Sequence, residues 1–130
     1  MNGHFSVDVD PARHLVLIRL SGFFTLETMN AFVAARNEAH RRLRCGPNEH
    51  ATVADVREMA IQAQELVSRC QVLLADPVYR SRRLAIVTPS TLARTQAHRA
   101  AGNRDARFFD DLDEAIAWAL EPGTATRTAA

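Results

Sequence analysis

At 130 residues, 47% hydrophobic and 24% charged, the chain has the size and composition of one globular domain with its own core. A formal net charge of +1 supplies no general field to draw in nucleic acid or a membrane surface. The longest unbroken apolar run, Leu15 to Ile18, is far too short to span a bilayer.

The chain opens with alternation. Phe5, Val7 and Val9 are interleaved with Ser6, Asp8 and Asp10, the period of a strand with one wet face. DPARH breaks it, and LVLIRL follows as an apolar run suited to a central strand buried on both sides. The two read as an antiparallel hairpin, with Gly22 ending the second strand. Phe23-Phe24 follows directly. Adjacent residues at a strand end point in different directions, so the rings either line a small apolar cleft with Met59 at the ligand-binding end of the sheet or are both packed as core beneath the first helix.

Thr25 is the natural N-cap of a first helix over about Leu26 to Arg44, with Glu27 in its first turn. Leu26, Met29, Phe32, Val33, Ala39 and Leu43 share one face, and Gly46-Pro47 stops the helix. ATVADV is the third strand. A second helix, from about Met59, carries Ile61, Leu66, Val67, Cys70 and Leu73-Leu74 on its apolar side, and Asp76-Pro77 ends or kinks it. RRLAIVTP is the fourth strand. Ser90 caps a third helix whose inner face is Ala93, Ala97, Ala100 and Ala101. That face either packs closely on the sheet or pairs with a second copy. ARFF is the fifth strand. DDLDEAIAWAL is the fourth helix, capped by Asp110 or Asp111, with Leu112, Ala115, Ile116 and Ala119 inward. Strands alternating with helices imply a mainly parallel sheet after the opening hairpin. The expected architecture is α/β: a mixed, mainly parallel five-stranded sheet with four helices, one domain over residues 1–122 and a disordered tail at 123–130.

Three stretches, LVLIRLSGFFTLETMNAF, RRLAIVT and ARFFDDLDEAIAWAL, resemble the STAS superfamily and within it the SpoIIAA-like group, which is similar in architecture to CRAL-TRIO lipid-binding domains. The resemblance runs from about His4 to Leu120. It departs at Ala119, which stands between Trp118 and Leu120 and should turn Leu120 off the core face. In the sigma-factor antagonists of this superfamily, a Ser at the helix start after the third strand is phosphorylated by a partner kinase. Here DVREMAIQAQELV occupies that place, and the first hydroxyl after Asp55 is Ser68. The resemblance therefore implies the fold without the phosphoswitch.

No catalytic set assembles from the sequence. His4, His14, His40, His50 and His98 are scattered, none beside another His, Cys or carboxylate at metal-ligand spacing. Cys45 follows a helix end, where the dipole disfavours thiolate, and Cys70 reads as core. Both suit free thiols in a reducing cytoplasm. All sixteen basic residues are Arg, and those at 94, 99, 104 and 107 read as a solvated face, with no nucleic-acid module around them. The expectation is a non-catalytic, cytoplasmic, STAS-like regulatory or protein-interaction module, without cofactor or metal, which binds itself as a homodimer or binds a partner protein. The alternative is a binder of a small apolar ligand or lipid in a cleft at the carboxyl end of the sheet. Its candidate residues are Phe23, Phe24, Thr25, Arg57, Met59 and Ser90.

Overall fold

The computed structural model describes residues 2–46, 48–60, 62–76, 80–88, 95, 98–99 and 106–121. Five strands form one sheet in chain order: β1 (His4–Asp10), β2 (Leu15–Gly22), β3 (Ala51–Met59), β4 (Arg83–Val87) and β5 (Arg107–Phe109). β1 runs antiparallel to β2, and every other pairing is parallel. This is the mixed sheet with an opening hairpin that the alternation and turn signals imply. Three helices are complete among the described residues: α1 (Leu26–His40), α2 (Gln64–Ala75) and α3 (Leu112–Ala119). The helix expected from Ser90, with its Ala93, Ala97, Ala100 and Ala101 face, lies mostly outside the described residues, as does the tail. Thr95, His98 and Arg99 within that stretch are helical.

Side chains alternate across a strand, and the sheet uses both faces. Leu15, Ala51, Val53, Ala85 and Val87 pack against Ala115 and Ala119 of α3. The intervening positions, Val16 and Ile18, pack against Met29 and Phe32 of α1 and Leu66 of α2. Leu84 and Ile86 of β4 pack against Val56 and Leu74. A strand covered on both faces needs apolar residues at every position, which is why β2 reads as a run rather than an alternation. β1 pairs only with β2 and keeps the alternation, with His4, Ser6 and Asp8 exposed.

Four boundaries and contacts differ from the sequence reading. α1 ends at His40, not Arg44, because the chain tightens there: the N–H groups of Arg41, Arg42 and Leu43 bond to carbonyls three residues back. Leu26 is 40% exposed, and the buried face of α1 is Met29, Phe32, Arg36 and Ala39. Met59 is the last residue of β3, pairing with Gly22, and α2 starts only at Gln64. Leu120 stays partly buried against the α3-face core, because Ala119 is the residue that points straight at the sheet. Asp111 caps α3, its side chain accepting from the N–H of Asp113 at 2.9 Å. At the other end of α3, Arg82 and Arg83 donate to the carbonyls of Ala119 and Trp118 at 3.0 and 2.7 Å, cations placed on the negative end of the helix dipole.

The exits of β2 and β3 meet, as parallel neighbours must. The N–H of Ala60 donates to the carbonyl of Gly22, and the Gln62 side chain spans the same gap. Its amide donates to the Gly22 carbonyl at 2.9 Å and its oxygen accepts from the Phe24 N–H at 2.8 Å. Gly22 has φ of +78°, and a Cβ there would stand 2.2 Å from the Asn2 carbonyl oxygen, so only glycine lets the N-terminal segment cross at this point.

Candidate functional site: a cavity between two helices and the sheet

A cavity of about 170 Å³ lies between α1, α2 and the sheet. Strand parity builds its floor. Thr52, Ala54 and Val56 of β3 line it, while Ala51 and Val53 face α3 instead. Ile18 and Leu20 of β2, with Leu84 and Ile86 of β4, extend the floor on either side. The helices form the walls: Met29 and Phe32 from α1, Leu66, Cys70 and Leu73 from α2. Ala54 opens the space. It is the smallest floor residue, on the central strand of the sheet, under the seam between the two helices.

The two ends of the cavity differ. Toward the carboxyl ends of the strands it is bounded by Phe24, Met59 and Gln62, and is apolar apart from the glutamine. Toward the amino ends it is bounded by Arg36, His40, Thr52, Asp76, Arg80 and Ser81. Of these, Arg36, Thr52 and Ser81 are buried. The span from Thr52 to Val56 alone is about 13 Å at the rise of a strand.

Phe24 and Met59, two of the residues singled out in the sequence, come together on this cavity. Phe24 is fully buried, so it is at once a core ring and a wall. Phe23 points the other way and is 43% exposed. Thr25 is occupied as the α1 N-cap, accepting from the Thr28 N–H at 3.1 Å. Ser90 lies outside the described residues. Arg57 sits on a second, smaller hollow with Arg19, Asp55 and Glu58.

That second hollow is an ion-pair site. Arg57 grips Asp55 in a fork, Nε to Oδ1 and Nη2 to Oδ2 both at 2.9 Å, and Arg19 stands 3.6 Å away. Asp55 is buried although both arginines reach solvent. The Arg57 fork holds the Asp55 carboxyl below its ordinary value, against the opposing effect of burial. A carboxylate with a depressed folded-state pKa contributes stability above its unfolded pKa, near 4, and loses it as pH falls through the folded value. Asp55→Asn is expected to lower stability by about 1–2 kcal/mol at pH 7, discounted for the exposure of the arginines. The gap between variant and wild type should close below pH 4, as followed by urea unfolding across pH. A constant gap down to pH 2 would count against the ion pair.

The sequence reading sets no histidine beside another. That reading concerns metal-ligand spacing along the chain, and the fold adds a contact that spacing does not show: His40 ends α1, His50 precedes β3, and their Nε2 atoms lie 3.1 Å apart with the rings at 87°. His40 Nδ1 bonds the Arg36 carbonyl at 2.9 Å, and a carbonyl only accepts. With both rings neutral, His40 Nε2 is then the acceptor and His50 the donor. Among the described residues, no group of three or more His, Cys, Asp or Glu is placed to hold a metal ion. Burial pushes the Cys70 thiol up to about 11, and the Cys45 thiol is also raised, first by burial and then by Glu49. Neither thiol is activated as a nucleophile.

Arg36 and the polar end of the cavity escaped the sequence reading. The signal for Arg36 was available: it falls on the helical face of Met29, Phe32 and Ala39, a charge inside an apolar stripe. Thr52, His40 and Ser81 gave no such signal, because only the packing of α1 and α2 over the sheet brings them together.

The element order, the sheet and the cover on both faces define a SpoIIAA-like α/β fold, in line with the resemblance carried by the sequence stretches. Solved structures share it, two of them as follows. One is an uncharacterised protein of the DUF3478 family with a SpoIIAA-like fold from Shewanella loihica, 16% identical over 90% of this chain and 94% of that one, with a TM-score of 0.69. The other is an anti-sigma factor antagonist from Mycobacterium paratuberculosis, 13% identical over 91% of this chain and 96% of that one, with a TM-score of 0.58. No protein-family model and no curated protein matches the chain. Among the described residues, no helix is long and apolar enough to cross a membrane.

Proposed function

We propose that this SpoIIAA-like domain is a non-catalytic binding module that takes a small apolar molecule into the cavity between α1, α2 and the sheet. The cavity carries the reading. Its floor and helical walls are mostly aliphatic and aromatic, and an apolar cavity of about 150 Å³ accommodates a molecule the size of benzene. Each buried CH₂ contributes about 0.8 kcal/mol, so a ligand of six to eight carbons gains several kcal/mol before its entropic costs. Phe24 and Met59 contact the ligand at the carboxyl end. Among the described residues, no nucleophile with an activating base lines the space, and the Cys70 thiol there is pushed up rather than down, which supports binding rather than turnover.

Cys70 provides the test, because its thiol lines the cavity. In a Cys45→Ser background, methyl methanethiosulfonate at pH 9 should label Cys70 slowly. Saturating indole or octan-1-ol should slow it further and raise the melting temperature, because a ligand that binds only the folded form stabilises it. Labelling and melting that no such molecule changes would remove the reading.

The likeness to an anti-sigma factor antagonist favours a second reading, a regulatory module that docks on a partner protein or on a second copy. The sequence from Val56 to Val67 holds no hydroxyl, so that docking would run without the switch serine. The open edge of β1 and the exposed Phe23 and Leu26 are the surface it would use. Unchanged Cys70 labelling together with a dimer mass in light scattering would favour it.

A further inference from the structure

We infer that the cavity takes a compact aromatic molecule, held against the sulfur atoms of Met29 and Met59 in preference to its saturated counterpart. The inference rests on the binding role proposed above and adds the chemical class of the ligand.

Three sulfur-bearing side chains line the space from three different elements: Met29 of α1, Met59 at the end of β3 and Cys70 of α2. The methionines of the chain are Met1, Met29 and Met59, so both internal ones stand on this cavity. A divalent sulfur is polarisable and gains an attraction at an aromatic ring, commonly at the ring edge, that a saturated carbon does not give. The Cys70 thiol belongs with the thioethers. Burial pushes it up to about 11, so at neutral pH it presents a soft, uncharged sulfur and not an anion that would repel a ring face. Phe24 and Phe32 bring two rings to the same walls, against which an aromatic guest packs offset or edge to face. Phe32 is itself held edge-on by Phe5, with centroids 5.8 Å apart and the planes at 68°. Phe24, Met29 and Phe32 are buried, so these contacts are made away from water. Size agrees with chemistry: a volume of about 170 Å³ matches an apolar cavity that takes up benzene.

2-Phenylethanol and 2-cyclohexylethanol share a head and a carbon skeleton and differ in aromaticity. Calorimetric titration gives the ratio of their affinities for the wild-type protein and for the double variant Met29→Leu, Met59→Leu. Each alcohol is hydrated alike in both titrations, so the change in the ratio isolates the sulfur contacts. Leucine conserves the volume of methionine. The ratio is expected to fall about tenfold in the double variant, toward the cyclohexyl compound, which is the loss of two sulfur–aromatic contacts of ordinary strength. Melting curves check that the variant is folded. In wild-type protein isotope-labelled at the methionine methyls, the ring current of 2-phenylethanol should displace the Met29 and Met59 signals further than 2-cyclohexylethanol does, and the single variants assign those signals. An unchanged ratio in the folded double variant, or displacements no larger with the aromatic alcohol, would overturn the aromatic assignment and leave the apolar cavity standing. Binding of neither alcohol to the wild-type protein would overturn both. The methyl signals decide the matter even if the double variant does not fold.

Discussion

Phe24→Ala is expected to cost about 3–5 kcal/mol of stability, whereas Phe23→Ala should cost less than about 1 kcal/mol. The two rings are neighbours in sequence and opposites in environment. Phe24 is fully buried, packed in the core that Val16, Ile18, Met29 and Phe32 share, and its loss would leave a void next to the existing cavity. The void would not collapse, because Gln62 pins the backbone on either side through the Phe24 N–H and the Gly22 carbonyl. Phe23 is 43% exposed and sits where Asn2 bridges to it. Its removal takes away little buried surface. Urea unfolding of both variants, with equal m-values, measures the difference. Comparable losses would mean that the exposed ring is held against something the monomer lacks, and would favour the partner-docking reading.

Ala54→Ile is expected to have the largest effect on ligand binding. Ala54 is the small residue in the cavity floor, on a strand where β-branched side chains are favoured. An isoleucine there would project three further carbons into the space between α1 and α2. Filling a cavity raises stability by about 0.5–2 kcal/mol where the new side chain fits. The variant should therefore melt higher than the wild type without ligand. A ligand at a hundred times its Kd stabilises the folded form by about 2.7 kcal/mol, and that increment should vanish in the variant. Thermal melts with and without octan-1-ol read both quantities. A variant that is stabilised by octan-1-ol as much as the wild type would place the ligand elsewhere.

Periodicity carried most of the architecture. The β1 alternation, the apolar β2 run, the Thr25 and Asp111 caps of α1 and α3 and the stop at Asp76-Pro77 are local signals, and each element they mark is present. Two boundaries differ, one through a strand pairing and one through a local tightening of the chain. Met59 lies in a helical pattern by composition, but pairing with Gly22 keeps it in β3. Arg41 to Arg44 look like a final helical turn, but the chain tightens after His40 on its way to β3.

The candidate site was legible only in part, for a physical reason. Phe24 and Met59 could be placed at the carboxyl end of the sheet because strand ends and turn residues are local features. The cavity itself depends on which face of β3 lies under the seam of two helices. Ala54 and Thr52 are ordinary strand residues until Met29 and Phe32 on one side and Leu66 and Cys70 on the other enclose them. The sequence by itself determined the order of elements, the hairpin and the two-sided burial of the central strands, because these follow from side-chain periodicity. The tertiary structure alone decided the void, its polar end and the meeting of His40 with His50. Those depend on how closely helices settle on a sheet, and packing distance is not written in the pattern of any one segment.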